Sequence, residues 1–275
     1  MQETHGIQAQ REFQQLNMHG GSIAQGVFSP SGGPVRRGLR GCVTIQTVMD
    51  HTLFVGLIQL LVLILSLSVH ECSHAWTADK LGDPTARFLG RVSLNPIVHS
   101  DLWGTVIFPL IGMQYGFMFG WAKPVPVNVG RLRNPARDHM LVAAAGPISN
   151  MIMATLMFGV LMVMKAISPE WAELVRMVSH GYIPRGGGAI SAPLALVAYY
   201  GMIINVILAI FNLIPVAPLD GAAVLSGLLP RDLAASLDRM QSYSFFIFIL
   251  LLISGVPQYL FDPPIYFLRT VLFST

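Results

Sequence analysis

An all-α polytopic membrane protein is the fold class this sequence predicts, on three observations. Apolar residues make up 53% of the 275 positions and charged residues only 11%, at a mean hydropathy of +0.59, whereas a soluble domain carries roughly a quarter charged residues. Several separate apolar runs approach the ~20 residues that cross a bilayer as a helix. The basic residues lie in the loops between those runs, as juxtamembrane charges do. The lipid bilayer is therefore an expected partner. Nucleic acid is not, because the net charge is only +3 and no basic stripe is interleaved with aromatics. Cys42 and Cys72 are the only cysteines, which leaves no disulfide framework and suits a reducing compartment or indifference to redox state.

In chain order, residues 1–50 are rich in Gly, Gln and Ser and lack the apolar core of a signal peptide. They are expected to form a disordered polar tail, and Met49 offers an alternative start of translation that would remove most of it. Residues 51–275 are expected to form one membrane domain. Spans are predicted at Leu53–Trp76, His139–Lys165, Leu194–Pro215 and Tyr243–Val256, followed by a short apolar tail at Tyr259–Phe273. The loop at Ser168–Ser191 is too short for a second domain.

Trp103–Trp121 is apolar but holds Pro109 and four glycines, and it runs into the proline-punctuated stretch "AKPVPVNVG". Gly112, Gly116 and Gly120 fall four apart, so it can be read as a helix-packing face or as a glycine-jointed re-entrant hairpin.

The chemistry enters at "HECSHAW", His70–Trp76, after seventeen uncharged positions from Leu53 to Val69. His70 and His74 are spaced i, i+4, so on a helix both imidazoles share one face and can bind one ion, with Glu71 beside them. Two neutral imidazoles suit Zn²⁺, and a catalytic zinc needs a third protein ligand and an open position. Glu71, turned about 100° from His70 on the helix, is the expected general base. Two ordinary surface histidines are the competing reading. It is weakened by position, because ionisable groups at the end of a span are costly and tend to be functional.

The third ligand should be another carboxylate or histidine. Asp220 is the best placed: it closes "FNLIPVAPLDG" after an acid-free apolar run, where Pro215 and Pro218 break the helix. An ordinary Asp-Gly turn is its competing role. Asp79, Asp83, Asp101, His99 and His139 lie in or beside polar loops. Cys72 points off the metal face and reads as a packing residue.

With these motifs in view, the chain resembles the site-2 protease family of intramembrane zinc metalloproteases, peptidase family M50, in its compact bacterial form without a PDZ or CBS domain. The resemblance covers roughly Leu53–Leu229. It rests on "HECSHAW", "GDPTARFLGRVSLNP" (Gly82–Pro96), "FGWAKPVPVN" (Phe119–Asn128), "AAAGPISN" (Ala143–Asn150) and "NLIPVAPLDG" (Asn212–Gly221), in that order. It implies a site-2 protease-like transmembrane core with a small membrane-associated β-hairpin. It implies one zinc ion per chain on His70, His74 and Asp220, Glu71 as catalytic acid/base, and a transmembrane protein as substrate. Asn212 is implied close to the site, steadying the substrate carbonyl or oxyanion. Asn150, following Pro147 in an apolar span, reads equally as an interhelical hydrogen bond or a substrate contact.

His70 and Asp220 both lie at C-terminal ends of spans and must meet one ion, so they must emerge on one side. That requires Trp103–Trp121 to re-enter. The zinc side then carries nine basic residues against seven opposite, or nine against three if the chain starts at Met49. The positive-inside rule then places the active site toward the cytoplasmic face of a multi-pass cell-membrane protein. A membrane metal-ion transporter and an inactive scaffold of the same fold are the alternatives; oligomeric state is left open.

Overall fold

The computed structural model describes residues 39–114, 120–182, 190–240 and 243–274. The chain divides into two units, Met1–Thr47 and Val48–Thr275, and the fold below is that of the second. Of the expected polar tail, residues 1–38 lie outside the described residues, and residues 39–50 are helical.

Among the described residues three helices are long and apolar enough to cross a membrane, Leu53–Leu81 within α1 (Leu39–Leu81), α5 (Pro135–Ile167) and α7 (Ser191–Asn212), and a fourth span is made if the bent pair Phe246–Ile253 and Val256–Leu272 counts as one. The first runs five residues beyond its predicted end and stops at Gly82, whose φ of +114° suits only glycine. Between α1 and α5 come two single turns, α2 (Thr85–Phe88) and α3 (Pro96–His99), then a π-helical turn, Leu102–Ile107, leading into α4 (Phe108–Gln114). The spans pack through one core in which Leu161 and Met164 of α5 meet Ala195, Leu196, Tyr199 and Met202 of α7. A Cβ on Gly201 would lie 2.9 Å from Met157, so glycine lets α5 and α7 approach closely. Asn205 of α7 donates to Ser66 of α1 at 2.8 Å inside that core.

One expectation is corrected, and two further segments gain structure. In place of the β-hairpin stands a short helix, the described residues contain no strand, and residues 115–119 of the expected hairpin lie outside them. Leu102–Met113 is a twelve-residue apolar helix, about 18 Å at 1.5 Å per residue, too short for a core of about 30 Å. The chain returns to its starting point, since Trp121 N–H donates to Gly104 O at 3.1 Å and Thr105 Oγ1 to Trp121 O at 2.9 Å. The returning stretch builds no ladder: Pro124 and Pro126 have no amide, and the amides of Trp121, Lys123, Val125 and Asn128 bond to Gly104 O, His99 O, Glu71 Oε2 and Asp83 Oδ2.

Second, the expected loop after α5 contains an amphipathic helix, α6 (Pro169–Ser179). Ser168 caps it by accepting Trp171 N–H, and Leu174, Val175 and Val178 enter the core. Third, the apolar tail is a docked helix. After α8 (Asp220–Leu228) and α9 (Arg231–Met240), α10 (Ser244–Ile253) and α11 (Val256–Ser274) meet at a 57° bend at Gly255 (φ +75°). Leu272 is buried in the main core, and Arg269 Nε donates to Tyr199 Oη at 2.9 Å.

Candidate metal centre

His70 and His74 sit one helical turn apart on the buried face of α1. Each ring is held by the nitrogen that points away from its partner. His70 Nδ1 donates to Asn150 Oδ1 at 2.9 Å, and His74 Nδ1 donates to Val142 O at 2.7 Å. Both acceptors belong to α5, so that helix orients both imidazoles. In this neutral tautomer the two Nε2 atoms carry lone pairs, and they face each other at 3.0 Å.

Asp220 closes the triangle. It is the first residue of α8, reached from α7 by a proline-rich loop, and its Oδ2 lies 3.2 Å from His70 Nε2 and 3.4 Å from His74 Nε2. The loop can fold this tightly because residue 221 is glycine: a Cβ there would stand 2.3 Å from Leu213 O. The site thus converges two neutral nitrogens and a carboxylate oxygen that has no hydrogen-bond donor. Tetrahedral ligands at the 2.0–2.1 Å of zinc–nitrogen and zinc–oxygen bonds stand about 3.3–3.4 Å apart. Edges of 3.0, 3.2 and 3.4 Å therefore fit one small divalent ion. Among the described residues this is the one His/Cys/Asp/Glu trio so placed.

The other polar candidates are occupied elsewhere. Asp79 pairs with Arg87, Asp101 caps the π-helical turn by accepting Gly104 N–H at 2.7 Å, and His99 Nε2 donates to Ser93 O at 2.8 Å. Asp83 is buried and ties down two segments. It accepts the amide and hydroxyl of Thr85, and through Oδ2 the amide of Asn128 at 2.6 Å. Cys72 and His139 are outside the trio. Asn150 is fully buried; its Oδ1 is an interhelical partner of His70, and its Nδ2 has no hydrogen-bond partner. Asn212 stands at the end of α7 and gives one amide proton to Leu208 O at 2.9 Å.

Two contributors escaped the sequence reading. Gly146 of α5 lies against both imidazoles: a Cβ would be 2.4 Å from His74 Nε2 and 2.5 Å from His70 Cε1. The motif "AAAGPISN" was the signal, but only the packing shows which of its residues faces the ring pair. The second is Val125 in the returning stretch, whose N–H donates to Glu71 Oε2 at 3.0 Å.

Comparison with known proteins is consistent with this geometry. The family model of peptidase family M50 matches residues 58–254. A Bacillus subtilis (strain 168) protein named "Putative zinc metalloprotease YwhC" is 35% identical over 201 residues, covering 73% of this chain and 82% of that protein. "Putative zinc metalloprotease Rip2" of Mycolicibacterium smegmatis is 25% identical over 191 residues, covering 70% of this chain and 64% of its own length. No solved structure matches.

Proposed function

The chain belongs to peptidase family M50, and from that premise we propose that it is a zinc-dependent intramembrane metalloendopeptidase. It hydrolyses a peptide bond in or near a transmembrane segment of a membrane-protein substrate. The observation that carries this is the triangle of His70 Nε2, His74 Nε2 and Asp220 Oδ2, with edges of 3.0–3.4 Å and no proton donor inside it in the neutral tautomer. One zinc ion bound there would polarise the scissile carbonyl and make a water molecule more acidic.

The chain's own residues supply the rest. Glu71 lies off the histidine face, and with one carboxylate oxygen held by Val125 N–H its other oxygen would take a proton from the attacking water and return it to the leaving amine. Asn150 and Val142 O fix the two ring tautomers. An amide carries two N–H donors, and the one Asn212 does not give to Leu208 is assigned to the substrate carbonyl. An apolar groove of about 460 Å³ along α5, lined by Pro147, Ile148, Met151 and Leu213 among others, supports a substrate that approaches within the bilayer.

The extended stretch Gly120–Asn128 is assigned to the substrate backbone. Its amides at Trp121, Lys123 and Val125 bond inward, to Gly104 O, His99 O and Glu71. Pro124 and Pro126, on either side of Val125, have no amide to donate, and the free carbonyls of this stretch are assigned to the substrate. A substrate helix unwound near the cut could add a short strand there, and the missing proline amides would limit that pairing to a few residues.

The three spans run out, back and out, which brings the ends of α1 and α7 to one side. With nine basic residues on that side against three beyond Met49 opposite, we place it at the cytoplasmic face of the cell membrane.

The test is metal analysis joined to cleavage of a membrane-spanning substrate. Wild type should hold one tightly bound zinc and cut; Glu71→Gln should keep zinc and not cut; Asp220→Ala should lose zinc. Several weakly held, exchangeable ions with no cleavage would instead mean a metal transporter.

A further inference from the structure

The connector between α1 and the re-entrant segment is built inside out. Its large apolar side chains face outward, with Phe88 79% exposed, Leu89 61%, Leu94 65% and Ile97 80%. Its charged and polar groups face inward, with Asp83 at 0%, Arg91 at 9% and His99 at 1%. Each buried group bonds to the connector itself or to the stretch behind it. Arg91 donates to Val98 O at 2.5 Å, His99 to Ser93 O, and Asp83 receives Thr85 and Asn128. In water this arrangement would be unfavourable on both counts, since apolar area would stay wet and polar groups would be dehydrated for little gain.

Its position says what covers it. The connector begins three residues after the first span ends at Leu81, so it sits at the level where the bilayer meets water. Exposed tryptophans mark the same level: Trp76 at the end of α1, with Lys80 5.8 Å over its ring, and Trp103 and Trp121 on the re-entrant segment. Tryptophan concentrates in that interfacial zone. Arg87 is exposed beside Phe88 and pairs with Asp79, as a long cationic side chain at the headgroup level can.

We propose that Pro84–His99 is an interfacial anchor, with Phe88, Leu89, Leu94 and Ile97 inserted at the headgroup and acyl-chain boundary of the bilayer. The anchor would also fix the depth of the active site. His99 O accepts Lys123 N–H at 2.8 Å, and two residues later Val125 holds Glu71. This inference rests on the membrane reading of the chain and not on its peptidase activity.

Photocrosslinking tests it in the full chain within vesicles of phosphatidylethanolamine and phosphatidylglycerol. Phe88→p-benzoylphenylalanine and Ile97→p-benzoylphenylalanine are irradiated and their adducts weighed, with the same substitution at Leu61, exposed in mid-span, as reference. Lipid adducts at both connector positions, at yields within about threefold of Leu61, are expected. Adducts to a second copy or another protein, or none while Leu61 labels, would overturn the anchor. No lipid adduct at Leu61 either would overturn the membrane reading and the anchor together.

Discussion

Glu71 Oε2 accepts the backbone N–H of Val125 at 3.0 Å, although 54 residues separate them in sequence. The expected base is thereby tied to the stretch assigned to the substrate, and the tie is a main-chain bond that a side-chain change leaves intact.

Val125→Pro removes that donor in a stretch already extended, and Val125→Ala keeps it. A hydrogen bond to a charged group contributes about 1.5–3 kcal/mol. The proline variant should therefore lose roughly ten- to a hundredfold in kcat, with zinc content unchanged. Alanine should stay near wild type. Equal losses in the two would make the contact a matter of packing, and kcat and KM measured side by side decide.

Gly146→Ala places a Cβ 2.4 Å from His74 Nε2, where neither imidazole can yield without leaving the triangle. Zinc content and cleavage should both fall at least tenfold. Gly159→Ala, on the same helix with nothing within 4 Å of its Cβ, should be silent. Metal analysis of the two purified variants checks it.

Asn150→Ala leaves His70 Nδ1 without its acceptor, and partners of ligating histidines are typically worth 10–100-fold in metal affinity or activity. Zinc competition against a chelator should show that loss. Asn150→Asp, which keeps an acceptor oxygen in place, should recover most of the affinity.

Asp83 sets a pH dependence of stability outside the spans. Burial raises its carboxyl, while the Thr85 hydroxyl, the amides of Asn128 and Thr85 and the charge of Arg131 lower it, and the net position is below the usual 3.8. A lowered folded value means that the contribution is fully present above the ordinary carboxylate range and disappears as pH falls through the folded value. Melting of wild type in detergent micelles should exceed that of Asp83→Asn at pH 7, with the gap closing below pH 4. A gap that does not change with pH would assign the difference to shape alone.

The sequence by itself determined what local spacing and composition can carry. Apolar runs long enough to cross a bilayer mark α1, α5 and α7 whatever packs on them, and the i, i+4 spacing of His70 and His74 puts both rings on one face of any helix that forms there. Asp220 was reachable by elimination, as the acid closing an otherwise acid-free run. The tertiary structure decided what depends on residues far apart in the chain. That Asn150 Oδ1 meets His70, 80 positions earlier, follows only from how the two helices pack. Gly146 and Val125 carry no local mark, since a glycine's missing Cβ and a backbone amide matter only through what stands opposite. The expected hairpin failed for the same reason. The resemblance implied a strand pair, but a ladder needs a partner, and the amides of Trp121, Lys123 and Val125 had already found theirs in Gly104, His99 and Glu71.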